Sequence, residues 1–178
     1  MSAISIPSLP PLPLACLDRG IALRPATSED SAFMRDLYVA GRWEEMAAVG
    51  WPAQTVLDFL RDQYRLQTIH YDAHYADAIR LVVECDGLAA GRLLLLDTGS
   101  QLRLVDIGLM PDYRARGIGT LLVSWVQDIA RDAGHGRASL HVEPNNPAKR
   151  LYARLGFQVT EPCGAYERMD WSATGPIS

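Results

Sequence analysis

Between Leu102 and Val126 the chain reads LRLVDIGLM, then PDYRARGIG, then TLLVSWV. The first segment has strand character and stops at Pro111. The last belongs to a helical stripe through Ile118, Leu121, Leu122, Trp125, Val126 and Ile129. The join holds Arg114, Arg116, Gly117 and Gly119. The first N–H groups of a helix lack internal acceptors and carry a partial positive charge. Glycines there let a ligand approach the backbone, and an anion contact at such a helix end is worth about 0.5–2 kcal/mol. The arrangement suits a pyrophosphate, held by several N–H groups together with Arg114 and Arg116.

By itself the Arg-x-x-Gly-x-Gly pattern also fits a softened helix start on a solvated loop. Two other phosphate loops are testable directly. A dinucleotide fingerprint would need glycine where Leu122 stands, and a Walker A loop would need Gly-Lys-Ser/Thr, which is missing.

The rest of the chain reads as one unit with no internal repeat. IALRPAT from Ile21 predicts a first strand, and Thr27 or Ser28 caps a helix through Phe33, Leu37 and Ala40 to about Gly41. Beyond Gly50-Trp51-Pro52, the stripe Val56, Leu57, Leu60, Tyr64 predicts a second helix. AIRLVVEC, Asp86-Gly87 and LAAGRLLLL predict a hairpin, which a third antiparallel strand, QLRLVDIGLM, extends. RASLHVE follows the apolar helix and is expected to run parallel to its neighbour. Asn146 then caps a short helix that ends before Gly156, and FQVTE and AYERMDW form a last strand pair. The fold class is α+β, with a mixed central sheet of about six to seven strands flanked by about four helices. Residues 1–20, rich in proline, read as a flexible tail; 21–172 form the domain, and 173–178 a C-terminal tail.

A chain of 178 residues can bury a real core. Its net charge of −4 argues against a broad nucleic-acid footprint, and no apolar run nears the length that spans a bilayer. Cys16, Cys85 and Cys163 stand far apart, in no zinc or redox spacing, which fits a reducing cytoplasm. No metal-ligand set is expected, since His70 and His74 lack a third partner.

Two segments in order, LVDIGLMPDYRARGIGTLLVSWV and LHVEPNNPAKRLYARLGF, resemble the acyl-CoA-binding segment and the following strand and helix of the GNAT superfamily, the acetyl-CoA-dependent N-acetyltransferases. The second carries the pattern N-x-x-A-x-x-L-Y-x-x-L-G-F. The resemblance implies a GNAT fold with acetyl-CoA as co-substrate. It implies that the CoA pyrophosphate sits on Arg114, Arg116, Gly117, Ile118, Gly119 and Thr120. The pantetheine arm would lie along Ile107 to Met110, where a bulge at Gly108 would aim the Leu109 N–H at the thioester oxygen. Asn146 is placed at the pantetheine-binding position as well as at the cap. Tyr152 matches the tyrosine that protonates the departing thiolate; its other reading is a packed core aromatic.

Direct attack requires a neutral amine, and freeing a lysine-like amine at pH 7 costs on the order of 4–5 kcal/mol. Asp106, Glu143 and His141 are candidate bases, and the choice stays open. The acceptor site is expected from the first two helices, with Glu44, Glu45, Trp51, Tyr64, His70 and Tyr71 as candidates. Solvated glutamates and core aromatics are the alternative there. The expected activity is acetyl transfer to a primary amine of a small molecule or peptide, with no nucleic-acid or membrane partner and a homodimer left open. The alternative is a non-catalytic acyl-CoA-binding or regulatory module of the same fold.

Overall fold

The computed structural model describes residues 9–175. Seven strands form one sheet: β1 (Ile21–Pro25), β2 (Ile79–Cys85), β3 (Leu88–Asp97), β4 (Leu102–Leu109), β5 (Arg137–Val142), β6 (Gln158–Cys163) and β7 (Tyr166–Ser172). Their spatial order is β1-β2-β3-β4-β5-β7-β6, antiparallel except for β4 against β5. Among the described residues the α-helices are α1 (Leu14–Leu17), α2 (Ser31–Ala47), α3 (Ala53–His74), α4 (Ile118–Asp132) and α5 (Ala148–Arg154).

Period-two alternation sends alternate residues of the sheet to opposite faces. Leu93, Leu95, Leu102, Leu104 and Leu140 pack with Ile118, Leu122, Val126 and Ile129 of α4. Each such side chain contributes about 1.5–3 kcal/mol when fully removed from water. On the other face Gly108 leaves room for Leu37 of α2, 3.8 Å from where a Cβ would stand. The β2–β3 turn needs positive φ at both central residues, and Asp86 and Gly87 supply 51° and 77°.

The tail expected over residues 1–20 is corrected in its second half; residues 1–8 and 176–178 lie outside the described residues. Leu9 and Leu12 pack against the core, Cys16 is fully buried, and the Trp125 indole N–H donates to the Pro10 carbonyl at 3.3 Å. Apolar side chains between the prolines give this segment something to bury, which accounts for the fifth helix. Helix α2 also runs beyond Gly41 to Ala47, because one glycine costs a helix interior only about 1 kcal/mol.

The bulge lies elsewhere than expected. Leu94 faces Asp106 and Leu95 faces Leu104, so Val105 is the extra residue. Gly108 stays in register with Arg92, and its role is close approach: a Cβ on neighbouring Gly91 would stand 2.3 Å from the Gly108 carbonyl oxygen. Pairing of β4 with β5 ends at this bulge. It covers Leu102–Leu104 against Ala138–Leu140, while β4 continues to Leu109. A bulge bends its strand, and here the bend coincides with a V-shaped gap in the sheet.

Candidate active site

Helix α4 opens at the mouth of this gap. Gly117 is its N-cap at φ 78°, a left-handed conformation that a side chain would strain, and Ala115 adopts φ 57°. No side chain caps the helix, and no acceptor occupies the N–H groups of Ile118, Gly119 or Thr120 among the described residues. The Arg19 guanidinium of the N-terminal segment stands beside this turn, 3.1 Å from where a Cβ on Gly117 would lie. Arg116 lies over the Tyr113 ring, 5.6 Å from its centroid. Arg114 turns back instead, donating from Nε to the Leu109 carbonyl at 2.9 Å and bracing the strand end.

The gap is lined by backbone. Met110 donates its N–H to Ala90 of β3 at 2.8 Å. Extended backbone alternates its hydrogen-bonding direction, so the N–H groups of Leu109 and Ile107 point the other way, toward the edge that β5 has left. Across the gap, Asn146 Oδ1 accepts the Ala148 N–H at 2.9 Å and caps α5. The pattern's asparagine, counted three back from Ala148, is Asn145. Asn145 is exposed, while Asn146 keeps the cap.

Tyr152, on α5, lies within the hydrophobic core. It is 6% exposed and packs edge-on against Phe157, with ring centroids 6.2 Å apart. Burial, with a smaller contribution from the Asp106 charge, pushes its phenol up to about 12. It therefore holds its proton at neutral pH.

The three candidate bases separate. Asp106 pairs with Arg92 and lies 3.5 Å from the Tyr71 hydroxyl. Glu143, at the end of β5, pairs with Arg42 of α2 at 3.5 Å. His141 faces outward beside Arg168 of β7; burial, then the charges of Arg103 and Arg168, lower its pKa and favour the neutral imidazole.

On the α2–α3 side of the sheet lies a cavity of about 300 Å³. Tyr64, Tyr71, Arg92 and Asp106 line it, with Asp72, Arg80 and Ser28 among the remaining walls. Of the expected acceptor residues it takes Tyr64 and Tyr71. It does not take Glu44, Glu45, Trp51 or His70. Glu44 and Glu45 are exposed in the last turns of the lengthened α2, Trp51 packs edge-on against Phe59, and His70 stacks on His74 at 4.3 Å. Gln67 accepts from Arg92 Nη2 at 2.9 Å. Arg92 escaped the sequence reading because an arginine inside an apolar strand gave no motif.

A sheet split between one parallel pair, with a bare helix start at the mouth of the split, is the architecture of an N-acetyltransferase fold. The chain belongs to the acetyltransferase (GNAT) family, whose sequence model matches residues 43–157. It is similar to the mycothiol acetyltransferase of Clavibacter sepedonicus, 35% identical over 82 residues, which are 46% of this chain and 27% of that protein. It is also similar to the thialysine N-epsilon-acetyltransferase of Mus musculus, 41% identical over 69 residues, 38% of this chain and 41% of that protein. The chain thus spans well under half the length of either relative. Among solved structures, the PaiA N-acetyltransferase of Thermoplasma acidophilum in complex with coenzyme A superposes with a TM-score of 0.65 at 21% identity, covering 85% of this chain and 98% of that one. No group of three or more potential metal ligands occurs among the described residues, and no described helix is long and apolar enough to cross a membrane.

Proposed function

We propose that this protein transfers an acetyl group from acetyl-CoA to a primary amine of a small molecule or peptide, by direct attack and without a covalent enzyme intermediate. The observation that carries the reading is the parting of β4 from β5 before the start of α4, with Asp106 of β4 on the wall of the cavity under α3. In this reading the coenzyme diphosphate lies on the N–H groups of Gly117, Ile118, Gly119 and Thr120. The pantetheine arm lies along Ile107–Met110 and beside Asn145. The Leu109 N–H donates to the thioester oxygen as negative charge develops there. The acceptor occupies the cavity, with Tyr64 and Tyr71 on its walls. Asp106 is the candidate base that lines this cavity; it attracts the ammonium and takes its proton, directly or through water. Tyr152 donates its proton to the departing thiolate. The reading places the reaction in the cytoplasm, and the free thiols of Cys16, Cys85 and Cys163 agree with a reducing compartment.

The test is thiol release from acetyl-CoA with polyamines, aminoglycosides, amino acids and peptide N-termini as acceptors, comparing wild type with Tyr152→Phe. The reading expects turnover on at least one amine and a large drop in kcat in the variant. Tight coenzyme binding without turnover on any amine would instead make the chain a binding module.

A further inference from the structure

The sequence sets residues 1–20 aside, yet that segment places a cation on the phosphate loop. Arg19 Nη1 donates to the Arg116 carbonyl at 2.6 Å. The same nitrogen lies 3.1 Å from where a Cβ on Gly117 would stand. The mooring is firm on both sides. Cys16 is fully buried, the Gly20 carbonyl accepts the Asp86 N–H at 2.9 Å, and any side chain at Gly20 would collide with Asp86 Oδ1 at 2.0 Å.

Electrostatics make this position costly for a cation that has no anion beside it. The start of α4 already carries the positive end of a helix dipole, where a cation is unfavourable. Arg114 and Arg116 stand in the same loop. None of these three guanidinium groups has a carboxylate within ion-pair distance among the described residues. Arg19 spends one N–H on a carbonyl and keeps the others for an acceptor. Cations gathered on a positive helix end, beside amides that lack acceptors, call for an anion with several oxygens.

We infer that Arg19 is a ligand of the coenzyme's phosphates, delivered to the site by the N-terminal segment. The inference rests on the coenzyme reading above and adds a residue to it. Two phosphate sources share this chemistry, the diphosphate and the 3′-phosphate of the ribose, and the donors compared below distinguish them.

Affinities of wild type, Arg19→Ala and Arg19→Lys are measured for CoA and for dephospho-CoA, which lacks the 3′-phosphate. Rates are measured with acetyl-CoA and with S-acetylpantetheine, which has no phosphate. The inference expects Arg19→Ala to weaken CoA by about tenfold, with partial recovery in Arg19→Lys. Acceleration by S-acetylpantetheine should be the same in wild type and Arg19→Ala, because that donor offers Arg19 nothing. A loss seen with both CoA and dephospho-CoA assigns Arg19 to the diphosphate; a loss confined to CoA assigns it to the 3′-phosphate. Equal CoA affinity in wild type and Arg19→Ala, or an equal loss with S-acetylpantetheine, would overturn the inference and leave the coenzyme reading intact. Absence of CoA affinity in the wild type would overturn both.

Discussion

The two sides of the gap treat charge in opposite ways. On the proposed coenzyme side, Arg19, Arg114 and Arg116 bind carbonyls or an aromatic ring and, among the described residues, no carboxylate. On the proposed acceptor side, Arg92 holds Asp106, Arg80 holds Asp72 at 3.0 Å, and Arg42 holds Glu143 at 3.5 Å. Arg24 holds both Asp30 and Glu84 at 2.7 Å. One side is left short of negative charge and the other is balanced within itself. Coenzyme recognition should therefore be dominated by electrostatics. Acceptor recognition should depend on cavity shape and on hydrogen bonds to groups already paired.

Gly117→Asp attacks the unbalanced side most directly. It puts a carboxylate where the phosphates are proposed to sit and forces a side chain into φ 78°. CoA affinity should fall by about 10³-fold, since several charge-assisted bonds are lost at once. Gly117→Asn carries the same strain without the charge and should fall much less; equal losses in the two would assign the effect to backbone strain. Tyr152→Phe comes next. Its kcat should drop by about 10²-fold while CoA affinity stays put, the signature of a group that acts in the transition state. A loss confined to KM would return Tyr152 to the packed-aromatic reading.

Asp106→Asn tests the balanced side. It removes the charge opposite the Arg92 guanidinium, whose side chain is only 15% exposed and keeps Gln67 as a partner, and should cost about 1–3 kcal/mol of stability. The acceptor KM should rise about tenfold and kcat should fall by about 10²-fold, with CoA affinity unchanged. If CoA affinity falls as well, the two sides are not separable. Salt gives a milder test of the same contrast. Raising it from 50 to 200 mM, a range over which the screening length falls by about half, should raise the KM for acetyl-CoA several-fold and that for a singly charged amine acceptor much less.

The architecture was legible because it depends on local signals. Asp86-Gly87 sets the hairpin, the Ile118–Ile129 stripe sets α4, and glycine at 117 sets its bare start. What escaped depends on distant partners. The bulge at Val105 is decided by register with β3, for which Gly108 offered a misleading local cue. Arg19 was missed because prolines hid the buried Cys16 three residues before it. Glu44 and Glu45 looked like an ammonium trap only while α2 was expected to stop at Gly41; six more helical residues carry them to the surface. Arg92, whose pairing with Asp106 shapes the cavity wall, lies inside an apolar strand, where it reads alone as an exposed charge.

The smallest effect compares one tyrosine on each side. Burial raises both Tyr152, to about 12, and Tyr71, whose neighbour Asp106 adds to the effect. An unfolded tyrosine titrates near ~10. A phenol that keeps its proton longer when folded gives stability that is fully present below pH 10 and is lost as the pH rises toward 12. For Tyr152 the loss should reach about 2 kcal/mol, seen as a convergence of wild type and Tyr152→Phe in denaturant midpoint between pH 9 and 12. Tyr71→Phe should converge with wild type over the same window. Its phenol borders the Arg92–Asp106 pair, so Asp106→Asn should weaken the Tyr71 effect more than the Tyr152 effect. In Tyr152 the aromatic packing of α5 carries most of the shift, and in Tyr71 a charge within 3.5 Å adds to the burial. Equal responses to Asp106→Asn would mean that the carboxylate belongs to both sides, and the contrast in charge would stop short of the reacting atoms.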